Sequence, residues 1–312
     1  MKLGTKIGAG FAALIIIALA LGGLAVWSMS GVKTIANTLA NANVPEVAVA
    51  NEVERDSLST MYDTRGYTYT EEKAFLDKAR TNLEQVKKDL KDAKEHAVKF
   101  NLFTLKQNAD KAETKALEYE QLLNDTVAKT DAMQGDIKTM GDAATKYFKS
   151  CEEYVESQVT KMNEEIAADN GVGTSTSQPA VTTKAMKERL LKIQLANGII
   201  QDGTAIRMGV WRAISTRNPK LLQETQKGFD QVFAKLDQIK AMTVQEVNLK
   251  QIEDCRAASK AYSDNMTVFL NNWFAREELN KKRGEVADAV LAAAQDTAKS
   301  GMDDTVKASN EA

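Results

Sequence analysis

Histidine and cysteine are almost missing from this chain: one histidine (His96) and two cysteines (Cys151 and Cys255) stand among 312 residues. With so few ligating side chains no Cys or His metal spacing can be assembled, and no GxxxxGK[ST] loop or GxSxG elbow occurs. His96 lies in the lysine-rich helical stretch KDAKEHAVK and reads as a solvated surface residue. Without an acid–base or nucleophile pair, neither an enzyme nor a bound cofactor or metal is expected. Proline is scarce as well (Pro45, Pro179 and Pro219), and aromatics make up only 6% of the residues. Strong helix formers with so few breakers exclude a strand-rich fold and point to long helices. Charge of one sign is lacking too: 41 Lys and Arg against 43 Asp and Glu leave a net charge of −2, which excludes the basic character of a nucleic-acid binder.

What is present begins with Ile7–Trp27, an apolar run without a charge. As a helix it is about 30 Å long, enough to cross a bilayer. Lys2 and Lys6 precede it and nothing acidic does, so the positive-inside rule keeps residues 1–6 in the cytoplasm. A cleaved signal peptide is the rival reading. The apolar core exceeds the usual length of one, and no small-x-small cleavage site follows. The expectation is therefore an uncleaved transmembrane helix over residues 7–29 and an exported domain over 30–312.

The exported part divides into helices. Val32–Thr68, entered near Pro45, carries Val44, Ala48, Asn51, Arg55, Leu58, Tyr62 and Arg65 at steps of three and four, which reads as its inward face. Gly66 and the Thr/Tyr run after it mark a turn. Glu71–Val98 follows, with Phe75, Leu76, Leu83, Val86 and Leu90 as core. A third helix runs from about Leu102 to Ala168 on a regular stripe from Leu105 through Tyr119, Met133 and Tyr147 to Gln158, loosened locally by Gly135 or Gly141. As one helix it is about 100 Å long. Asp169–Thr183, rich in Gly, Ser and Thr, is a loop. Helix four carries Met186, Leu190, Ile193, Asn197, Ile200, Thr204, Arg207, Trp211 and Ile214, and ends at Asn218-Pro219. Helix five (Pro219–Met242) presents Leu222, Phe229, Phe233, Leu236 and Ile239. The last helix starts near Val244 and carries Ile252, Cys255, Tyr262, Phe269, Trp273, Arg276, Asn280, Arg283, Ala287 and Thr297 in register.

A faint internal repeat matches Leu76, Leu83, Val86 and Leu90 to Leu222, Phe229, Val232 and Leu236. Each half then reads short helix, short helix, long helix. The expected fold is all-α: one transmembrane helix, then six helices forming two stacked antiparallel four-helix bundles that share the two long helices. The membrane-proximal bundle takes about 32–130 plus 272–312, and the distal bundle about 131–271. The small, polar tail Val286–Ala312 returns to the membrane level without crossing it, as if the protein continues beyond it.

On that plan Arg55, Arg65, Arg276 and Arg283 fall in the proximal bundle with Asn51, Tyr62, Trp273 and Asn280. Inward arginines repel one another and are costly to desolvate unless an anion joins them. Arginine pairs with a carboxylate in a bidentate manner, so the cluster reads as a carboxylate site. Glu54, Glu84 and Glu277 offer the competing explanation, internal neutralisation. Arg207, Trp211 and Tyr262, with Arg212 near them, form a second, distal candidate. Cys151 and Cys255 both fall on core stripes, either as a disulfide or as two buried thiols.

A short Lys-flanked anchor, a helical exported region and a small-residue helix returning to the membrane resemble the front of a bacterial methyl-accepting chemotaxis receptor. The six-helix plan is similar to the helical bimodular type of sensor domain. The resemblance covers essentially the whole chain, and it rests on architecture, because such sensors carry no short signature. It implies a periplasmic sensor on the inner membrane that binds a small organic acid and works as a homodimer. The signal would pass by a small shift of the last helix to a cytoplasmic signalling region not in this chain. Arg55, Arg276 and Asn280 are the positions that match best. Two other readings stay open: the sensor of a histidine kinase, reading a small ligand or a periplasmic binding protein, and a membrane-anchored coiled coil with no ligand.

Overall fold

The computed structural model of the protein describes residues 3–170 and 183–311. Its elements are α1 (Leu3–Thr38), a π turn (Leu39–Asn43), α2 (Val44–Thr70), α3 (Lys73–Phe100), α4 (Phe103–Asn170), α5 (Thr183–Ser215), α6 (Pro219–Gln226), α7 (Gly228–Ala241) and α8 (Glu246–Glu311). Among the described residues there is no strand. Most of the stretch expected as a loop between the fourth and fifth of these helices lies outside the described residues.

The large apolar side chains of α1, from Leu3 to Met29, are exposed. Among the described residues this is the one stretch of helix long and apolar enough to cross a membrane. Pro45 explains the π turn that follows. Proline has no N–H, and its ring crowds the carbonyl four residues earlier, so a regular helix cannot pass through it unchanged. The chain absorbs this by widening one turn, and the Val44 N–H reaches back to the Leu39 carbonyl.

Helix ends follow local chemistry. Glu71 and Asn101, at φ 61° and 58°, close α2 and α3 in the left-handed conformation. Asn218 accepts a hydrogen bond from the Leu221 N–H at 3.1 Å and places Pro219 in the first turn of α6. Two expected boundaries move. Gly66 is not a turn: α2 continues to Thr70, and the missing side chain lets the Phe75 ring of α3 lie where a β-carbon would meet Cδ1 at 2.6 Å. The fifth expected helix is broken at Lys227 into α6 and α7, where Gly228 passes Ile206 so closely that a β-carbon would lie 2.9 Å from its Cγ1. Gly135 and Gly141 leave α4 unbroken.

The chain divides into two compact units, residues 1–125 with 280–312 and residues 126–279. The sequence reading placed the division at 130/131 and 271/272. In the first unit Leu76, Leu83, Val86 and Leu90 of α3 are buried, as are Leu105, Ala112, Tyr119 and Leu123 of α4 and Ala287, Val290 and Ala294 of α8. In the second, Tyr147, Phe229 and Tyr262 form an aromatic centre, with Phe229 edge-on to Tyr262 at 5.4 Å and 85°. Cys151 and Cys255 are free thiols buried in the same core. A hydrogen bond with Cys255, together with burial, pushes the Cys151 thiol up from its ordinary value.

α2 turns the opposite way from the sequence reading, and α5 departs from it in part. On α2 the expected inward set Val44, Ala48, Asn51, Arg55, Leu58, Tyr62 and Arg65 is exposed. The buried face is Glu46, Ala50, Val53, Asp56, Ser57, Thr60, Asp63, Thr64 and Tyr67. It is mostly polar, and it hydrogen-bonds to hold itself inside: Asn82 Nδ2 donates to Asp63 at 2.8 Å, and the Thr60 hydroxyl donates to the Asp56 carbonyl at 2.7 Å. On α5 the expected Ile193 is buried and Ile200 and Ile214 pack partly buried against the core, but Asn197, Thr204, Arg207 and Trp211 are exposed, and Ala196, Ile199, Ile206, Val210 and Ala213 complete the inner face instead. The small side chains on that inner face permit close packing, above all at Gly203 against Tyr147.

Candidate functional site

Met61, Arg65, Thr68 and Tyr69 are spaced along α2 so that they share one side of the helix. Asn280, Arg283, Gly284 and Ala287 do the same on α8, and Tyr119 reaches in from α4. All nine line one cleft of about 190 Å3 within the first unit. A β-carbon on Gly284 would meet nothing within 4 Å.

The polar chemistry of the cleft is cationic and rich in donors. Arg283 is buried, at 6% exposure, and its Nη2 donates to the Thr68 hydroxyl at 3.2 Å. Burial draws the guanidinium down from its ordinary value, and the Tyr119 phenol beside it acts in the opposite sense. Tyr119 is pushed up by its own burial, against the pull of Thr64 and Arg283. Arg65 stands on the exposed side. Asn280 Oδ1 is buried without a hydrogen-bond partner. Two guanidinium groups and the Tyr69 and Tyr119 phenols around one small space suit an anion with more than one oxygen. The volume is below that of drug-sized sites and suits a small ion. Two acids that offered internal neutralisation are engaged elsewhere: Glu54 accepts from Gln295 at 2.8 Å, and Glu84 pairs with Lys87 at 2.5 Å.

Of the residues singled out in the sequence, Arg65, Asn280 and Arg283 are brought together here. Arg55, Asn51 and Tyr62 lie on the exposed face of α2, and Arg55 is held by its neighbour Asp56 through Nε at 2.8 Å and Nη2 at 3.1 Å. Trp273 and Arg276 are buried in the second unit, where Trp273 stands edge-on to Phe269. In the distal set Tyr262 is a core residue whose phenol is pushed up to about 12 by burial. Arg207 is exposed above the Phe148 ring at 5.9 Å, and Trp211, one turn on, is 57% exposed. Arg212 is exposed.

Sequence reasoning missed Thr68, Tyr69 and Tyr119 as site residues. Tyr119 had a signal, a phenol on an otherwise alanine- and leucine-rich stripe of α4, but periodicity alone made it core. Among the described residues no group of three His, Cys, Asp or Glu could hold a metal ion. No protein-family model matches the chain, and no curated protein matches it in sequence.

Proposed function

We propose that this chain is the sensor portion of a transmembrane bacterial chemoreceptor and that it binds a small carboxylate in the cleft of Arg65, Asn280 and Arg283. The observation that carries the proposal is the meeting of Arg65 on α2 and Arg283 on α8 around one space lined with further polar groups. Like charges on facing helices repel at short range, and an anion between them reverses the sign of that interaction. A ligand that binds one helix position better than another shifts the population toward it. Bound acid would thus draw α8 against α2, which is the small movement of the last helix that the signal needs.

The finer architecture belongs to the same proposal. The two units act as stacked antiparallel four-helix bundles that share α4 and α8, in a homodimer. The apolar α1 anchors them to the inner membrane, with its N-terminus in the cytoplasm and the helical domain in the periplasm. The output lies in a cytoplasmic signalling region, and the chain performs no chemistry of its own.

The test is a thermal-shift screen of the full chain in detergent against mono-, di- and tricarboxylates. A ligand at 100 times its dissociation constant stabilises the fold by about 2.7 kcal/mol. The shift is expected to vanish in Arg65→Ala and to survive in Arg55→Ala, whose charge is already held by Asp56. A screen in which no acid shifts the melt would overturn the proposal.

A further inference from the structure

Glu46 is 1% exposed, in the first turn of α2 directly after the π turn, and its Oε2 has no hydrogen-bond partner. Gly301 of α8 brings the two helices together at this point. A β-carbon on Gly301 would lie 2.8 Å from Val47 Cγ2 and 3.3 Å from Glu46 Cγ and Cδ. One turn further along α8, the exposed Asp304 acts on Glu46 with a charge of the same sign. On α3, His96 Nε2 lies 2.8 Å from the carbonyl of Ala42 in the π turn, four residues before Glu46. A carbonyl only accepts, so Nε2 carries the hydrogen in this bond.

A carboxylate in such a place is poor as an anion. It has lost its water, one oxygen lacks a donor, and the charge that acts on it is negative. Burial first, and Asp304 second, raise the Glu46 carboxyl to about 7. The ordinary carboxylates of a protein surface are fully ionised there.

We propose that Glu46 is a proton-binding site through which this domain responds to the pH around it, separately from the anion cleft. Protonated, Glu46 stays packed between α2 and α8 against Gly301. Deprotonated, it draws in water and repels Asp304, and the α2–α8 contact loosens. The contact is well placed to matter, because along α2 it lies between the apolar α1 and the cleft residues Met61–Tyr69. On α8 it lies beyond Arg283, so loosening frees the same helix that a bound anion would draw in.

The test is backbone hydrogen exchange of the full chain in detergent, read over residues 298–308 between about pH 5.5 and 8.5 and corrected for the intrinsic rate. Protection is expected to fall as pH rises toward about 7, by up to about tenfold per pH unit, and to level off above it. Glu46→Gln is expected to stay protected throughout, and Asp304→Asn to move the transition to lower pH by removing the repulsion. His96→Asn is expected to leave it in place. A flat parent profile overturns the proposal, and so does a transition that persists in Glu46→Gln or follows His96. Should Glu46→Gln fail to fold, Asp304→Asn carries the test alone, since Asp304 is exposed, and a transition it leaves unmoved overturns the proposal.

Discussion

The Arg283 guanidinium donates from Nη2 to the Thr68 hydroxyl at 3.2 Å and so joins α8 to α2 inside the cleft. A buried charge of this kind makes the acceptor more valuable than a neutral donor would. Thr68→Val keeps the shape and removes the acceptor, and it is expected to cost about 1.5–3 kcal/mol, the range for hydrogen bonds to charged groups. Arg283→Met removes the charge along with the need for an acceptor and should cost less than Thr68→Val. Urea unfolding of the two variants beside the parent gives the order. If Arg283→Met proves the more damaging, the guanidinium contributes packing in excess of its desolvation.

Glycine separates the two halves of one prediction. A β-carbon on Gly203 would lie 2.1 Å from Tyr147 Cε1, and Tyr147 is fixed by its hydroxyl, which donates to the Ile199 carbonyl at 2.5 Å. Gly203→Ala is therefore expected to destabilise by about 1–3 kcal/mol, as overpacking does. Gly135 and Gly141 are exposed inside α4, and a β-carbon on either would meet nothing within 4 Å. Gly135→Ala and Gly141→Ala should stabilise by about 0.5–1 kcal/mol each, from helix propensity alone. Melting temperatures of the three variants decide it.

The same packing explains what the sequence made legible. On α4 and α8 one face carries Tyr147, Met133, Phe269 and Trp273 and the opposite faces carry Lys and Glu, so hydrophobic period and burial agree. On α2 both candidate faces are largely polar. Periodicity then has nothing to choose between, and the face with Leu58 and Tyr62 looks the more apolar although Glu46, Asp56 and Asp63 are the ones inside. On α5 the large side chains Trp211 and Met208 lie outside while Gly203, Ala196 and Ala213 face the core. Ile199, Ile206 and Val210 lie inside with them, so the true stripe is apolar as well, and a register set by Arg207 and Trp211 passes it by. For the cleft, Arg65 and Arg283 could be picked out because charge on a helical stripe is conspicuous, and Asn280 because it lies one turn from Arg283 and Arg276. Thr68 and Tyr119 could not, since their place beside Arg283 depends on how α2 and α4 turn.

Asp56 and Asp89 respond to pH in opposite senses. Arg55 holds the Asp56 carboxyl below its ordinary value, whereas burial raises that of Asp89, whose Oδ2 is buried without a partner beside Asp56. A lowered acid contributes stability above its unfolded value and loses it as pH falls. A raised acid contributes stability at low pH and loses it as pH rises through the folded value. Asp89→Asn removes the second penalty and keeps an oxygen for Gln85, whose Nε2 donates at 2.7 Å. It is expected to stabilise the chain at neutral pH, with the gain shrinking as the solution is made acid. Thermal melts across that range would show the opposite trend if Asp89 were ionised without cost.

The cleft can be tested without touching any of its charges. Gly284 lines it, and a β-carbon there would meet nothing within 4 Å, so a larger side chain can be placed at the cleft without a clash at its base. Gly284→Ala is expected to leave acid binding intact and to raise stability by about 0.5–1 kcal/mol through helix propensity. Gly284→Leu keeps Arg65, Arg283, Asn280 and Tyr119 but fills the volume an anion would need. Calorimetric titration with an acid that stabilises the parent should show its affinity lost in Gly284→Leu and retained in Gly284→Ala, with both proteins melting no lower than the parent. Retained affinity in the leucine variant would mean that the acid binds elsewhere on the chain, because the arginines were never altered and only the space between them was.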